Sequence, residues 1–149
     1  MPSTTHQWLV LWVARKMTAD GYIVSGCDGP TPQGGLWNSL ASPFAIAGVR
    51  PDLWGVSPTS GRIAIGEAKT PNDIVNGHTR HQLSVFARLL QTKDSSLCRV
   101  YIAIPRSAAT SLNRMLRGLN MEKDEHIVCM YVPDCFVASN EHEEECEIH

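Results

Sequence analysis

Hydrophobic and polar positions along this chain follow two periods, and the places where the period changes mark out its elements. Leu9, Val13 and Met17 recur every four residues with Trp8 and Trp12 beside them, and Gly21 follows. That spacing predicts a helix over residues 5–20, opened by the Thr4-Thr5-His6-Gln7 capping box and stopped by the glycine. Tyr22 to Ser25 reads as a short strand. Residues 26–43 then carry Gly26, Gly29, Gly34 and Gly35 with Pro30, Pro32 and Pro43, a density of breakers that predicts a long surface loop. Phe44 to Val56, bending at Gly48, and Arg62 to Lys69 are predicted as the two strands of a hairpin, joined by the turn-rich Ser57-Pro58-Thr59-Ser60-Gly61. From Asn76 or His78 to Gln91 the period is helical again, with Leu83, Phe86, Ala87 and Leu90 on one face. Val100 to Ile104 predicts a strand, and Ser107 a cap for a helix that carries Leu112, Met115, Leu116 and Leu119. Ile127 to Val132 is continuously apolar and reads as a last, buried strand. The order α-β-β-β-α-β-α-β specifies an α/β fold.

Composition bounds how many such units there are. At 149 residues, 43% apolar and 19% charged, the chain holds enough for one core and too little for two. Residues 1–140 therefore read as one domain and 141–149 as an acidic tail. No apolar run nears the roughly 20 residues that cross a bilayer. The longest, Trp8 to Ala14, lacks a basic segment before it and a small-residue cleavage site after it, so neither a membrane span nor a secretory signal is expected. The 5 cysteines are scattered without a C-x-x-C pair, which speaks against a disulfide framework and for a reducing, cytoplasmic setting. The formal net charge of −2 is uneven, because five of the 15 acids (Glu141, Glu143, Glu144, Glu145 and Glu147) sit in the tail. Residues 1–140 keep all 13 Lys and Arg against the remaining 10 acids, a balance of +3. A body of that sign is compatible with a polyanionic partner.

The chemistry concentrates in Arg50-Pro51-Asp52 and Gly66-Glu67-Ala68-Lys69. Alternate residues of a strand share a face, so Glu67 and Lys69 point the same way as Ile63 and Ile65 while Ala68 faces the other side. Ionised groups on a strand otherwise built of Ile, Ala and Gly cost several kcal/mol unless they are paired or bound to metal. One account is an ion pair of Glu67 with Lys69 on a half-exposed sheet. The other is phosphodiester hydrolysis, which uses a divalent cation to neutralise charge and to activate water, and hard cations prefer carboxylate and carbonyl oxygens. Asp52 and Glu67, from adjacent strands, can hold such an ion, with Lys69 beside it to orient water or stabilise phosphate charge.

On Pro51-Asp52 and Glu67-Ala68-Lys69, with the hairpin between them, the chain resembles the PD-(D/E)xK nuclease superfamily of restriction endonucleases, junction resolvases and recombination exonucleases. The order of elements over residues 5–132 is similar to that superfamily's restriction-endonuclease-like α-β-β-β-α-β core, a mixed central sheet flanked by helices. The resemblance implies that Asp52, Glu67 and the Ala68 carbonyl bind Mg²⁺, with Mn²⁺ able to substitute, while Lys69 assists the water. Gln82 on the next helix, with Phe86 one turn on, is similar to the Q-x-x-x-Y motif of the recombination-exonuclease branch, with Phe in place of Tyr. Many members also carry an acid on the first helix, where this chain offers Gln7 at the start and Asp20 at the end.

The remaining candidates are contacts to nucleic acid. Arg80 and His81 precede Gln82 where helix-end donors can meet a phosphate, and Trp37 in the Gly/Pro loop can stack on a base; the plainer alternatives are a solvated helix end and an aromatic loop anchor. Trp54 reads as core. Arg62, Arg88, Lys93, Arg99, Arg106, Arg114 and Arg117 are possible phosphate contacts but never cluster in sequence. His142, Cys146 and His149 have zinc-like spacing in a tail that reads as solvated. The expectation is a Mg²⁺-dependent DNA endonuclease, selective for DNA structure because the chain leaves little room for a sequence-reading domain, and a homodimer of junction-resolvase type because cutting both strands takes two copies. A restriction-like or single-strand nuclease and a non-catalytic nuclease-fold binding or regulatory module are the alternatives.

Overall fold

The computed structural model describes residues 3–29, 31–32, 40–74, 76–89, 91 and 96–137. Trp37, Lys93 and the tail at 141–149, with His142, Cys146 and His149, lie outside the described residues. The elements are α1 (Thr4–Ala19), β1 (Ile23–Cys27), β2 (Leu53–Val56), β3 (Ile63–Ala68), α2 (Pro71–Ile74), α3 (Gly77–Ala87), β4 (Arg99–Pro105), α4 (Ala109–Gly118) and β5 (Ile127–Val132). The strands form one mixed sheet in the order β1-β2-β3-β4-β5. β1, β2 and β3 pair antiparallel, whereas β3, β4 and β5 pair parallel. The fold is α/β, a five-stranded mixed sheet flanked by helices.

Side-chain alternation along the central strands builds two cores, one on each face. On one face Leu9, Val10, Val13 and Met17 of α1 pack against Leu53, Ala64, Ala68, Tyr101 and Ala103. On the other, Leu83 and Phe86 of α3 and Leu112 and Leu116 of α4 cover Ile65, Val100, Ile102 and Ile104. The small residues Ala64, Gly66 and Ala68 let α1 lie close. A Cβ on Gly66 would stand 2.5 Å from Leu53 Cδ1 and 2.6 Å from Val13 Cγ1.

Five local expectations are corrected. The cap of α1 is Ser3, whose hydroxyl accepts from the His6 N–H, so the helix starts one residue earlier than the Thr4 capping box placed it. The strand expected over residues 44–56 shrinks to Leu53–Val56, because Ala47 at φ 50° and Gly48 at φ 78° make a tight turn closed by the Ile46–Val49 bridge, and Pro51 has no N–H to give a ladder. Ser107 does not cap α4; its N–H donates to Asp134 Oδ1 at 3.0 Å, and a 3₁₀ turn over Arg106–Ala108 leads into the helix. β5 is only half-buried over most of its length, since it is the edge of the sheet and pairs with β4 alone. Trp54 is also half-buried, edge-on to the exposed Phe44 with ring centroids 5.5 Å apart.

Cys27, Cys98 and Cys129 are free thiols. Cys135, by contrast, is disulfide-bonded, against the expectation of a chain without disulfides. Among the described residues no helix is long and apolar enough to cross a membrane.

Candidate functional site

The candidate residues Asp52, Glu67, Lys69 and Gln82 meet where β3 ends. Antiparallel pairing sets Leu53 opposite Gly66, and one step further along the same register Asp52 stands beside Glu67. The Asp52 N–H donates to the Gly66 carbonyl at 3.1 Å and to Glu67 Oε1 at 2.9 Å. In return Asp52 Oδ2 accepts from the Ala68 N–H at 2.8 Å. Each acid is thus held by the other strand's backbone, and the two carboxylates are locked side by side.

Lys69 completes the row. Its Nζ lies 3.3 Å from Glu67 Oε2 and donates to Gln82 Oε1, while its backbone N–H donates to the Ala103 carbonyl at 3.0 Å. Glu67 is 1% exposed, Lys69 9% and Gln82 7%, so this is a buried network rather than an ion pair on a half-exposed sheet. Strand alternation explains the partner: Lys69 shares the face of Ile65 and Glu67, and that face carries α3. Gln82 therefore holds the lysine and does not touch the acids directly.

The site also contains a residue that motif reading missed. His6, in the first turn of α1, places Nε2 3.2 Å from Asp52 Oδ2. Asp20 is at the other end of α1, bound to Tyr101 Oη at 2.6 Å and Lys16 Nζ at 3.1 Å, and Gln7 forms no side-chain hydrogen bond among the described residues. A signal for His6 exists in the sequence. It precedes Leu9, Val10 and Val13 by three, four and seven residues, which sets it on the stripe that faces the sheet.

Asp52 and His6 open onto a cleft of about 690 Å³ that Asp28, Thr70 and the α2 residues Pro71, Asn72 and Asp73 also line. The cleft lies at the carboxyl end of β3, where open α/β sheets place their ligands. Asp28 arrives because its N–H donates to the Asp52 carbonyl at 2.7 Å, a link between the Gly/Pro loop and β2 that no local pattern announces.

Electrostatics set the character of the site. Burial, then the adjacent Asp52 charge, push the Glu67 carboxyl well above the ordinary carboxylate range, and Lys69 only partly offsets them. Burial pulls the His6 imidazole down, but the hydrogen bond and charge of Asp52 outweigh it and the net shift is upward. Burial, with Asp52 and Asp28 nearby, pushes the Cys27 thiol up to about 11, which leaves it protonated and excludes it as a nucleophile near neutrality. Among the described residues no three His, Cys, Asp or Glu side chains converge to hold an ion. Asp52 and Glu67 instead offer two adjacent carboxylates, hard oxygens of the kind divalent cations take alongside water and phosphate. Asp52 brings its carboxylate to the cleft with Asp28 and Asp73, and Glu67 adjoins it from the buried side, so the hard oxygens present fit a divalent cation.

Arg80 is exposed and donates to the Gly118 carbonyl at 3.3 Å; it lies with Arg114 beside a separate hollow. His81 is exposed on α3 and, like Arg80, is not brought to the Asp52 cleft. Comparison of the chain with family models, with curated proteins and with solved structures finds no match.

Proposed function

We propose that this protein is a Mg²⁺-dependent DNA endonuclease with a restriction-endonuclease-like core, selective for DNA structure and acting as a homodimer in the manner of junction resolvases. The observation that carries the reading is the reciprocal clasp of Asp52 and Glu67 across β2 and β3, with Lys69 beside Glu67. The antiparallel β1-β2-β3 unit, parallel β4 and flanking α1 and α3 support the reading, since the motif resemblance implies a mixed sheet with elements in that order. Three free thiols suit a cytoplasmic setting; the bonded Cys135 runs against it.

Asp52, Glu67 and the Ala68 carbonyl would hold the cation. Bound there, it supplies charge neutralisation at the phosphate and a lowered pKa for the attacking water. Asp52 keeps Oδ1 for this task, since Oδ2 already accepts from Ala68 and faces His6. Lys69 presents an ammonium group to the water or to the developing phosphate charge, and Gln82 fixes its reach. His6 holds the Asp52 carboxylate in place.

A second reading draws on the same contacts. Glu67 is neutralised by Lys69 and Asp52 is approached by His6, which is how a non-catalytic nuclease-fold binding module would close its site. Incubation with four-way, flap, duplex and single-stranded DNA, in Mg²⁺ or in chelator, decides between them. Metal-dependent cleavage that prefers four-way DNA is the expected result. Preference for duplex or single strands would shift the reading to a restriction-like or single-strand nuclease, and binding without cleavage would leave the non-catalytic module.

A further inference from the structure

At the other end of the sheet four cations gather outside any ion pair among the described residues, Arg99 lying over the Tyr101 ring at 5.9 Å. Arg62 directly precedes β3 and Arg99 opens β4, so both stand at the amino ends of the parallel strands, roughly 16 Å along β3 from Glu67 at about 3.3 Å per residue. With Arg88, just past α3, and Lys123 they line a cleft of about 770 Å³. Sequence separation hides this cluster, since the four positions span residues 62–123 and only strand pairing brings them together.

Among the described residues the ion pairs are His6–Asp52, Lys16–Asp20, Lys69–Glu67 and Arg117–Glu122, and none uses these four side chains. Nε of Arg62 and Nε of Arg99 are buried without a hydrogen-bond partner. Both residues are only half-buried, but a buried N–H donor without an acceptor is uncommon, because proteins normally satisfy such groups. The acids nearby do not cancel the charge. Asp124 and Glu125 on the rim are exposed, and Asp20, which feels the charge of Arg99, is already held by Lys16 and Tyr101. His126 lines the cleft but its Nε2 lies 2.7 Å from the Ala87 carbonyl, which ties the ring to α3. Ala87 and Leu97 give the cleft an apolar wall, suited to the ring of a ligand whose anionic group meets the arginines.

We propose that this cleft binds the phosphate group of a nucleotide, free or within a strand, through Arg62 and Arg99, with Arg88 and Lys123 at the rim. Planar guanidinium forks match phosphate oxygens, and such charge-assisted hydrogen bonds are among the stronger ones. The inference does not depend on the nuclease reading, and its test is run in chelator so that the metal site is idle.

Calorimetric titration with inorganic phosphate, with a nucleoside 5′-monophosphate and with a short single-stranded oligonucleotide distinguishes the sources. Saturable binding of any of the three is expected. The pair Arg62→Gln/Arg99→Gln should weaken it at least about tenfold, the scale of one lost charged hydrogen bond. Should that pair not fold, the exposed Arg88→Gln/Lys123→Gln pair should still weaken it several-fold. The pair Arg106→Gln/Arg114→Gln, with the same charge change elsewhere, should leave it unaltered. Binding of the monophosphate marks a free nucleotide as the ligand, and binding of the oligonucleotide alone marks a strand. No binding of any probe at millimolar concentration, or equal weakening by the Arg106/Arg114 pair, would overturn the proposal.

Discussion

Lys69 has two side-chain partners, Glu67 and Gln82, and they ask different things of it. Glu67 needs its charge, Gln82 only its position. Lys69→Ala should therefore cut cleavage on the order of 10²-fold while Mg²⁺ binding, read by calorimetry, persists; near-normal turnover in a folded variant would remove the lysine from the mechanism. Among the described residues Asp52 is the one side-chain hydrogen-bond partner of the His6 ring, so His6→Ala should weaken Mg²⁺ or Mn²⁺ affinity on the order of tenfold, as loss of a residue that orients a ligand commonly does. Unchanged metal affinity would make it a packing residue. The two raised pKa values also set a pH dependence in the metal-free protein. A histidine raised by its partner contributes stability that is complete below its unfolded value near 6.5 and lost as pH rises through the raised one. A carboxyl raised by burial binds more protons folded than unfolded, so stability again falls as pH climbs from about 4.5 through the raised value. Denaturant melts in chelator should thus show declining stability from about pH 5 to 8, and Glu67→Gln should flatten the slope; a slope that survives that change would place its origin elsewhere. At this scale the motif was readable, because Asp52, Glu67 and Lys69 are close in sequence and strand alternation decides their faces. For His6 the sequence carried only its place on the sheet-facing stripe of α1, and for Asp28 nothing, because each enters the site through a contact made by a different element.

Elements carry these residues only as far as their packing allows. Gly66 sits between Leu53 and Val13, and α1 rests on β3 at that point. Gly66→Ala should destabilise the fold by about 1–3 kcal/mol, as overpacking does, and should impair cleavage by pushing α1, with His6, away from Asp52; full stability in a chemical melt would mean that α1 has room to move. The helices α1, α3 and α4 and the strands β3, β4 and β5 were legible from periodicity, since each buries a stripe or face against the sheet. Residues 44–52 misled for a physical reason. Phe44, Ile46 and Val49 have strand-like character, yet the positive φ values at Ala47 and Gly48 turn the chain back on itself, and nothing in the local pattern distinguishes that turn from a bend.

For the molecule as a whole, charge is distributed by end. The acidic cleft at the carboxyl end of β3 and the cations Arg62 and Arg99 at the amino ends of β3 and β4 lie at opposite ends of one sheet. Removing residues 141–149 takes away five carboxylates and moves the formal charge from −2 to +3. DNA binding followed by fluorescence anisotropy should tighten at low salt and converge with the full chain near physiological salt, where screening shortens the reach of exposed charge to about 8 Å. Cleavage itself should persist without the tail, and equal affinity at low salt would defeat the electrostatic argument. What the sequence determined by itself is local in origin: which segments are helix or strand, which face each residue takes, and the Asp52/Glu67/Lys69 row that follows from a hairpin register. Tertiary structure alone decided what depends on docking one element against another. Whether Lys69 meets Gln82, whether His6 reaches Asp52 and whether Arg62, Arg88, Arg99 and Lys123 share a cleft are questions of strand order and helix placement, and those are settled by how the two cores close on the sheet rather than by any spacing along the chain.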